Sequence, residues 1–157
     1  MTLNQMMADL AVVLEKYQAE VTTYLGDGFL ALVRDSKHAE RGVGAALDMM
    51  AALREFDRPR QVLGLPLFQA RIGVNSGEAF LGNVGTYHKI DFTALGPAVT
   101  AASRLLSWAE PGLPCLSQAT YEAVAGRFTF QGGNPRTVGA SGVEPFPVWD
   151  VVGRASS

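Results

Sequence analysis

The stretch "YLGDGFLALV", residues 24–33, constrains this chain more than any other. Two apolar runs flank a Gly-Asp-Gly tip. Asp-Gly is a hairpin signal because glycine accepts positive φ at little cost. Val, Thr and Tyr ahead of the tip favour extended backbone. The stretch therefore reads as two antiparallel strands, 20–25 and 29–34. Asp27 stands at the tip, and its residue type leaves two roles open. One is turn-former, for which Asp-Gly is common on steric grounds. The other is metal ligand, since Mg²⁺ takes one or two carboxylates and fills its shell with water and substrate phosphates.

A two-stranded hairpin is not stable by itself and needs a covering layer. Helical periodicity supplies candidates on both sides. Leu3, Met6, Met7, Leu10, Val13, Leu14 and Tyr17 follow the i, i+3, i+4 rule over 3–17. Thr2 followed by Gln5 suits a capping box at the start. Val43, Ala46, Leu47, Met50 and Leu53 mark one face of a second helix over 37–56. The run "DRPRQVLGLP", 57–66, reads as a loop by its prolines and glycine.

Further on, "LFQARIGV" and "EAFLGNVG" read as strands of a second hairpin around Asn75-Ser76-Gly77, followed by an extended "IDFTAL". Pro97 suits a first helical position, which starts a third helix running to Trp108. "GLPCLS" reads as a short strand, and Ser117 as the cap of a helix over 118–125. Strands near 127–130 and 146–152 enclose a Gly-rich loop, 131–145, read as mobile. The tail "GRASS", 153–157, is expected to fray. This order predicts an α+β fold: a mainly antiparallel, ferredoxin-like sheet with helices packed on one face.

Composition narrows the function classes. The 157 residues suit one domain, and 48% hydrophobic against 18% charged excludes general disorder. A formal charge of −2 gives no footprint for nucleic acid and no attraction to an acidic membrane surface. No run of eighteen apolar residues is present, so membrane insertion by this segment is not expected. One cysteine, Cys115, permits no intrachain disulfide; it reads as a buried inert thiol and agrees with a cytoplasmic location.

Few residues carry chemistry on local pattern. Thr100 and Arg104 are spaced i, i+4 and share a helix face. Arg104 is either a phosphate-binding fork or a solvated surface arginine. The glycines of "RIGVNSGEAFLGNVG" match no P-loop or dinucleotide fingerprint and read as structural turns. His38 and His88 lack metal-ligand spacing and read as incidental.

Taken in order, "YLGDGFLALV", "RIGVNSGEAFLGNVG", "KIDFTALGPAVTAASRLL" and "EPGLPCLSQATYE" resemble the class III adenylate/guanylate cyclase catalytic domain over roughly 3–125. The resemblance implies conversion of ATP or GTP to a 3′,5′-cyclic nucleotide and pyrophosphate, with Mg²⁺ or Mn²⁺. It implies a site shared by two domains, in a homodimer or with a second cyclase domain. It assigns Asp27 as one of two metal carboxylates and Arg104 as the group that stabilises phosphate charge in the transition state. Thr23 and Thr93 fall at the base-reading positions, and Thr100 at the position of a ribose-orienting asparagine.

Departures from the family pattern are specific. The family's other metal aspartate sits on a strand several tens of residues before the hairpin, a point ahead of Met1. Asp9 lies in a helix and does not replace it by register. The resemblance thus implies an N-terminally incomplete cyclase homology domain over 1–157, weak or inactive alone. Thr23 stands for a lysine and lacks its reach and charge; Thr100 keeps a hydroxyl and loses the amide's fixed geometry. The alternative is a non-catalytic dimerisation or regulatory module. A diguanylate-cyclase-like or polymerase-palm-like layout is disfavoured, because no Gly-Gly-Asp/Glu-Glu-Phe hairpin is present.

Overall fold

The computed structural model describes residues 3–25, 28–86, 89–142 and 144–155; for Leu3, Leu25, 81–86 and 89–95 it describes the backbone alone. The fold is α+β. Helix α1 (Leu3–Lys16) leads through three residues into β1 (Glu20–Leu25), which pairs antiparallel with β2 (Gly28–Leu32). Leu25 lies opposite Gly28, so the hairpin read from Gly-Asp-Gly is present and residues 26–27 join its strands. The tip itself, with Asp27, lies outside the described residues.

Helix α2 (His38–Val62) packs on α1 and on the hairpin. Met6, Leu10 and Leu14 of α1 meet Met49, Met50, Leu53 and Phe56 of α2, with Phe29 and Ala31 of β2 against them. Tyr17, one residue past α1, is tied to Asp48 in the body of α2 and to Arg154. Tyr17 Oη donates to Asp48 Oδ2 at 2.6 Å, and Arg154 Nη2 donates to Tyr17 Oη at 2.7 Å. Burial pushes the Asp48 carboxyl up, but the Tyr17 hydroxyl and the Arg154 charge outweigh it and hold the carboxyl below its ordinary value.

Helix α2 runs six residues beyond the 37–56 expected of it, through Pro59. The missing Pro59 N–H removes one helical bond without ending the helix. The stop comes at Gly64, with φ of 70°. There Leu65 N–H donates to Arg60 O at 2.8 Å and Gly64 N–H to Gln61 O at 3.1 Å, a Schellman ending. The following segment folds back on this last turn. Buried Asp57 accepts from Phe68 N at 2.8 Å, and Arg60 donates to Pro66 O at 2.8 Å.

The second expected hairpin is not formed around 75–77. Only Gly73–Val74 (β3) is a strand there, and it pairs parallel with β6 (Cys115–Leu116). The hairpin is instead β4 (Phe80–Thr86) with β5 (Lys89–Leu95). Asn75 explains the shift: its side chain donates to Ala98 O at 2.9 Å, so the turn is spent on the next helix rather than on a ladder. That helix, α3, covers Pro97–Leu105 and stops three residues short of Trp108.

The C-terminal half is organised by β9 (Phe146–Arg154), which pairs with β6, with β7 (Phe128–Phe130) and with β8 (Arg136–Val138). Helix α4 (Gln118–Val124) begins at Ser117, whose side chain accepts from Thr120 N as the sequence indicated. Gly153 and Arg154, expected to fray, are the last two residues of β9. The expected mobile loop 131–145 contains β8, held by a bidentate ion pair. Arg136 Nε donates to Asp150 Oδ2 at 2.6 Å and Nη2 to Asp150 Oδ1 at 3.1 Å. Arg136 also donates to Trp108 O. Among the described residues, no helix is long and apolar enough to cross a membrane.

Asp150 is 7% exposed, so its charge depends on Arg136. Arg136→Ala should destabilise the chain by about 3 kcal/mol in urea unfolding, because it strands a buried carboxylate. Arg136→Met combined with Asp150→Leu should recover most of that loss; no recovery would show that the charge was not the cause.

Candidate active site

Helix α3 owes its position to three residues of one short segment. Gly73 faces it so closely that an added Cβ would lie 2.7 Å from Leu105 Cβ and 2.9 Å from Ala102 O. Asn75 holds Ala98 O, and a Cβ on Gly77 would lie 3.2 Å from Ala98 Cβ. The glycines read from sequence as turns are therefore the seat of α3. At the helix start Gly96, with φ of 125°, turns the chain, and Pro97 takes the first helical position. Gly96 O then accepts from Val99 N at 3.1 Å and from Thr100 N at 3.2 Å.

This seating fixes which face of α3 is outward. Ala98, Val99, Ala102 and Leu105 turn inward, and Leu105 is buried beside Cys115 and Val148. Thr100 and Arg104 lie on the opposite face, both exposed. The Thr100 hydroxyl donates to Gly96 O at 3.4 Å. Among the described residues Arg104 makes no hydrogen bond or ion pair. The expected shared face is thus real, and it points away from the chain's own interior.

The remaining candidates are spread out. Thr23 is half-buried on β1, next to an irregularity between Val21 and Thr23 that leaves it opposite Leu30. Thr93 stands on β5 opposite Gly82. A groove of about 790 Å³ opens between the hairpin and β3, lined by β2, residues 68–77 and the inward face of α3. Thr23, Thr100 and Arg104 do not line it. Among the described side chains, Thr23, Thr100 and Arg104 are therefore not gathered around one cavity. Sequence reasoning did not anticipate this groove; the only signal was the strand-like pattern of 67–74 without a partner in sequence.

The metal pair implied by the resemblance requires two carboxylates. Among the described residues, no Asp or Glu lines the groove beside β2, and no three His, Cys, Asp or Glu side chains come together. With Asp27 outside the described residues, the donors on view do not make such a site. His38 is engaged locally, its Nδ1 2.6 Å from Asp35 O, and His88 lies outside the described residues. Cys115 is fully buried, and burial together with nearby Asp150 pushes its thiol up to about 11, in keeping with an inert role.

The model of the adenylate and guanylate cyclase catalytic domain matches residues 1–145. The chain belongs to this family. Adenylate cyclase 1 of Rhizobium meliloti (strain 1021) is 33% identical over 97 residues, which is 59% of this chain and 15% of that protein. The chain thus spans less than a sixth of that relative's length. The guanylyl cyclase Cya2 superposes with a TM-score of 0.86 at 30% identity, over 98% of this chain and 79% of that one. The guanylate cyclase domain of RhGC from Catenaria anguillulae, in complex with GTP, gives 0.83 at 25% identity, over 98% and 82%. The ferredoxin-like strand arrangement expected from sequence is the fold of these cyclase domains.

The seat of α3 is testable in this cyclase domain. Gly73→Ala should destabilise it by about 1–3 kcal/mol, because backbone at Ala102 cannot yield as a flexible side chain would. Gly112→Ala is the contrast: nothing lies within 4 Å of its Cβ, and only its φ of 94° opposes the change. Equal losses of cooperative packing around Trp108, read by near-ultraviolet circular dichroism, would refute the close approach.

Proposed function

We propose that the chain is a cyclase homology domain supplying part of a site that forms 3′,5′-cyclic AMP or cyclic GMP, with pyrophosphate, from ATP or GTP. The observation that carries this reading is the outward face of α3. Arg104 stands exposed and without a partner among the described residues, one turn from Thr100. Such a face suits a triphosphate held against a second domain. RhGC, a family member, is bound to GTP, which supports a nucleoside triphosphate as the ligand.

In this reading Arg104 donates to the reacting phosphate as its charge builds, and Thr100 offers one hydroxyl to the ribose. Thr93 and Thr23 contact the base with short uncharged side chains. Asp27 supplies a carboxylate for Mg²⁺ or Mn²⁺; when bound, such ions neutralise the attacking and leaving oxygens. The partner is a second copy or another cyclase domain, placed so that Asp27 of one chain faces Arg104 of the other. In this reading residues 1–157 alone are weak or silent, because Thr23 and Thr100 stand in place of the family's lysine and asparagine. A second reading, a non-catalytic module that dimerises and regulates, is favoured by Thr23 and Thr100, which stand where the family pattern has a lysine and an asparagine.

Cyclic AMP and cyclic GMP formation with Mn²⁺ separates the two, measured on the full gene product and on residues 1–157. The enzyme reading expects turnover by the gene product, reduced about 10²–10³-fold by Arg104→Ala. Product equal to that of an Asp27→Ala variant would leave the regulatory module.

A further inference from the structure

Two non-glycine residues hold positive φ among the described residues, Gln18 at 56° and Asp35 at 128°. They stand at the two ends of the β1–β2 hairpin, Gln18 just before Glu20 and Asp35 just after Leu32. L side chains rarely adopt such a backbone, so the surrounding structure has to hold it there. One guanidinium meets both residues. Arg41 Nη1 donates to Gln18 Oε1 at 2.7 Å, and Arg41 Nη2 pairs with Asp35 Oδ2. Nη2 also donates to Arg34 O at 3.2 Å. The other carboxylate oxygen, Asp35 Oδ1, accepts from Lys37 N at 2.8 Å, which ties the same turn to the start of α2.

The anchor of this clasp is firm. Arg41 stands near the start of α2 between Ala39 and Val43, both buried in the core. Its Nε is buried without a bond among the described residues, so the two Nη atoms carry its polar contacts. Asp35 is 44% exposed, and ion pairs of that exposure add little to stability. Geometry gives the clasp a larger effect. β1 has six residues, and a rise of about 3.4 Å per residue puts its far end about 17 Å from the clasped base. A tilt of about 5° at the base carries that end about 1.5 Å, and a misplacement of about 1 Å can cost about 10²-fold in rate. The irregularity between Val21 and Thr23 adds local twist to the same strand, so the strand's direction depends on how its end is held.

We infer that Arg41 is a positioning residue: it fixes the base of the β1–β2 hairpin, and through the hairpin the places of Asp27 and Thr23 in the shared site. The inference rests on the cyclase reading and adds to it a residue outside the candidate set. Arg41 acts through the hairpin rather than on nucleotide or metal. A guanidinium suits the role because its planar fork reaches both ends at once, whereas a lysine ammonium is a single point.

The test uses the full gene product and three variants, Arg41→Ala, Arg41→Lys and Gln18→Gly. Gln18→Gly removes one arm of the clasp and gives the φ of 56° to a residue that adopts it freely, so folding is not at stake. Amide hydrogen exchange in β1 and β2 is compared with that in α2, and cyclic nucleotide formation is followed against Mn²⁺ and nucleotide concentration. The clasp expects exchange in the hairpin, and not in α2, to quicken at least about tenfold in all three variants. Positioning expects kcat to fall about 10–100-fold in both Arg41 variants and at least about threefold in Gln18→Gly, with half-saturating Mn²⁺ raised at least about fivefold. Arg58→Ala, which removes an exposed pair with Glu55, should change none of these. Unchanged hairpin exchange would overturn the inference. So would a lower Tm in the Arg41 variants with kcat and Mn²⁺ dependence unchanged per folded molecule, the pattern of a merely structural arginine. A native gene product that forms no cyclic nucleotide overturns the cyclase reading and the positioning role with it. An active native product matched by its variants overturns the positioning role alone, so the two failures are distinguishable.

Discussion

Side chains that alternate along β6 and β9 enter two different cores, and the placement of α3 depends on this. Leu116, Trp149 and Val151 point to one side, where they meet Val43 of α2 and Val124 of α4. Cys115 and Val148 point to the other, where Leu105 and Ala109 close over them. A strand pair buried on both faces must be apolar at consecutive positions, as "CL" and "VW" are. The helix layer over the hairpin thus continues over β6 and β9, and α3 covers their reverse face. Asp150 interrupts the pattern on the second face and is tolerated because Arg136 meets it with two bonds.

From this two-sided ladder follows the direction of the candidate residues. β3 joins the ladder through β6, and Gly73 brings α3 into contact with it. A helix held so tightly by one face has to present the other. Thr100 and Arg104 occupy that other face, exposed and outside the lining of the groove. The face that carries Thr100 and Arg104 is therefore open to a second domain, as the proposed shared site requires.

Much of this was legible in the residues, and the failures share a cause. Periodicity found α1 and the inward face of α2, because amphipathic helices state their burial in their spacing. Gly-Asp-Gly found the first hairpin, and Ser117 and Pro97 found two helix starts, because those residues act locally. Pro59 misled the reading: a proline near a helix end costs one bond, and the Gly64 ending was the stronger signal. The run 67–74 looked like half of a hairpin, yet its partner is β6, distant in sequence at Cys115–Leu116, and parallel. Nothing local announces such a pairing. For the same reason Gly73 read as a turn, when its role is to admit Leu105. The site residues were reached through family resemblance; spacing alone gave only the shared face of Thr100 and Arg104.

Cross-linking tests most directly whether the site is shared between chains. Asp27→Cys chains are mixed with Arg104→Cys chains, with ATP and Mn²⁺ present, and treated with a short bis-maleimide. Native Cys115 does not compete, being fully buried with its thiol pushed up to about 11. A shared site predicts covalent dimers that form in the mixture and exceed those from either variant alone. A link that forms within single chains of the Asp27→Cys, Arg104→Cys double variant, with none between chains, would contradict it.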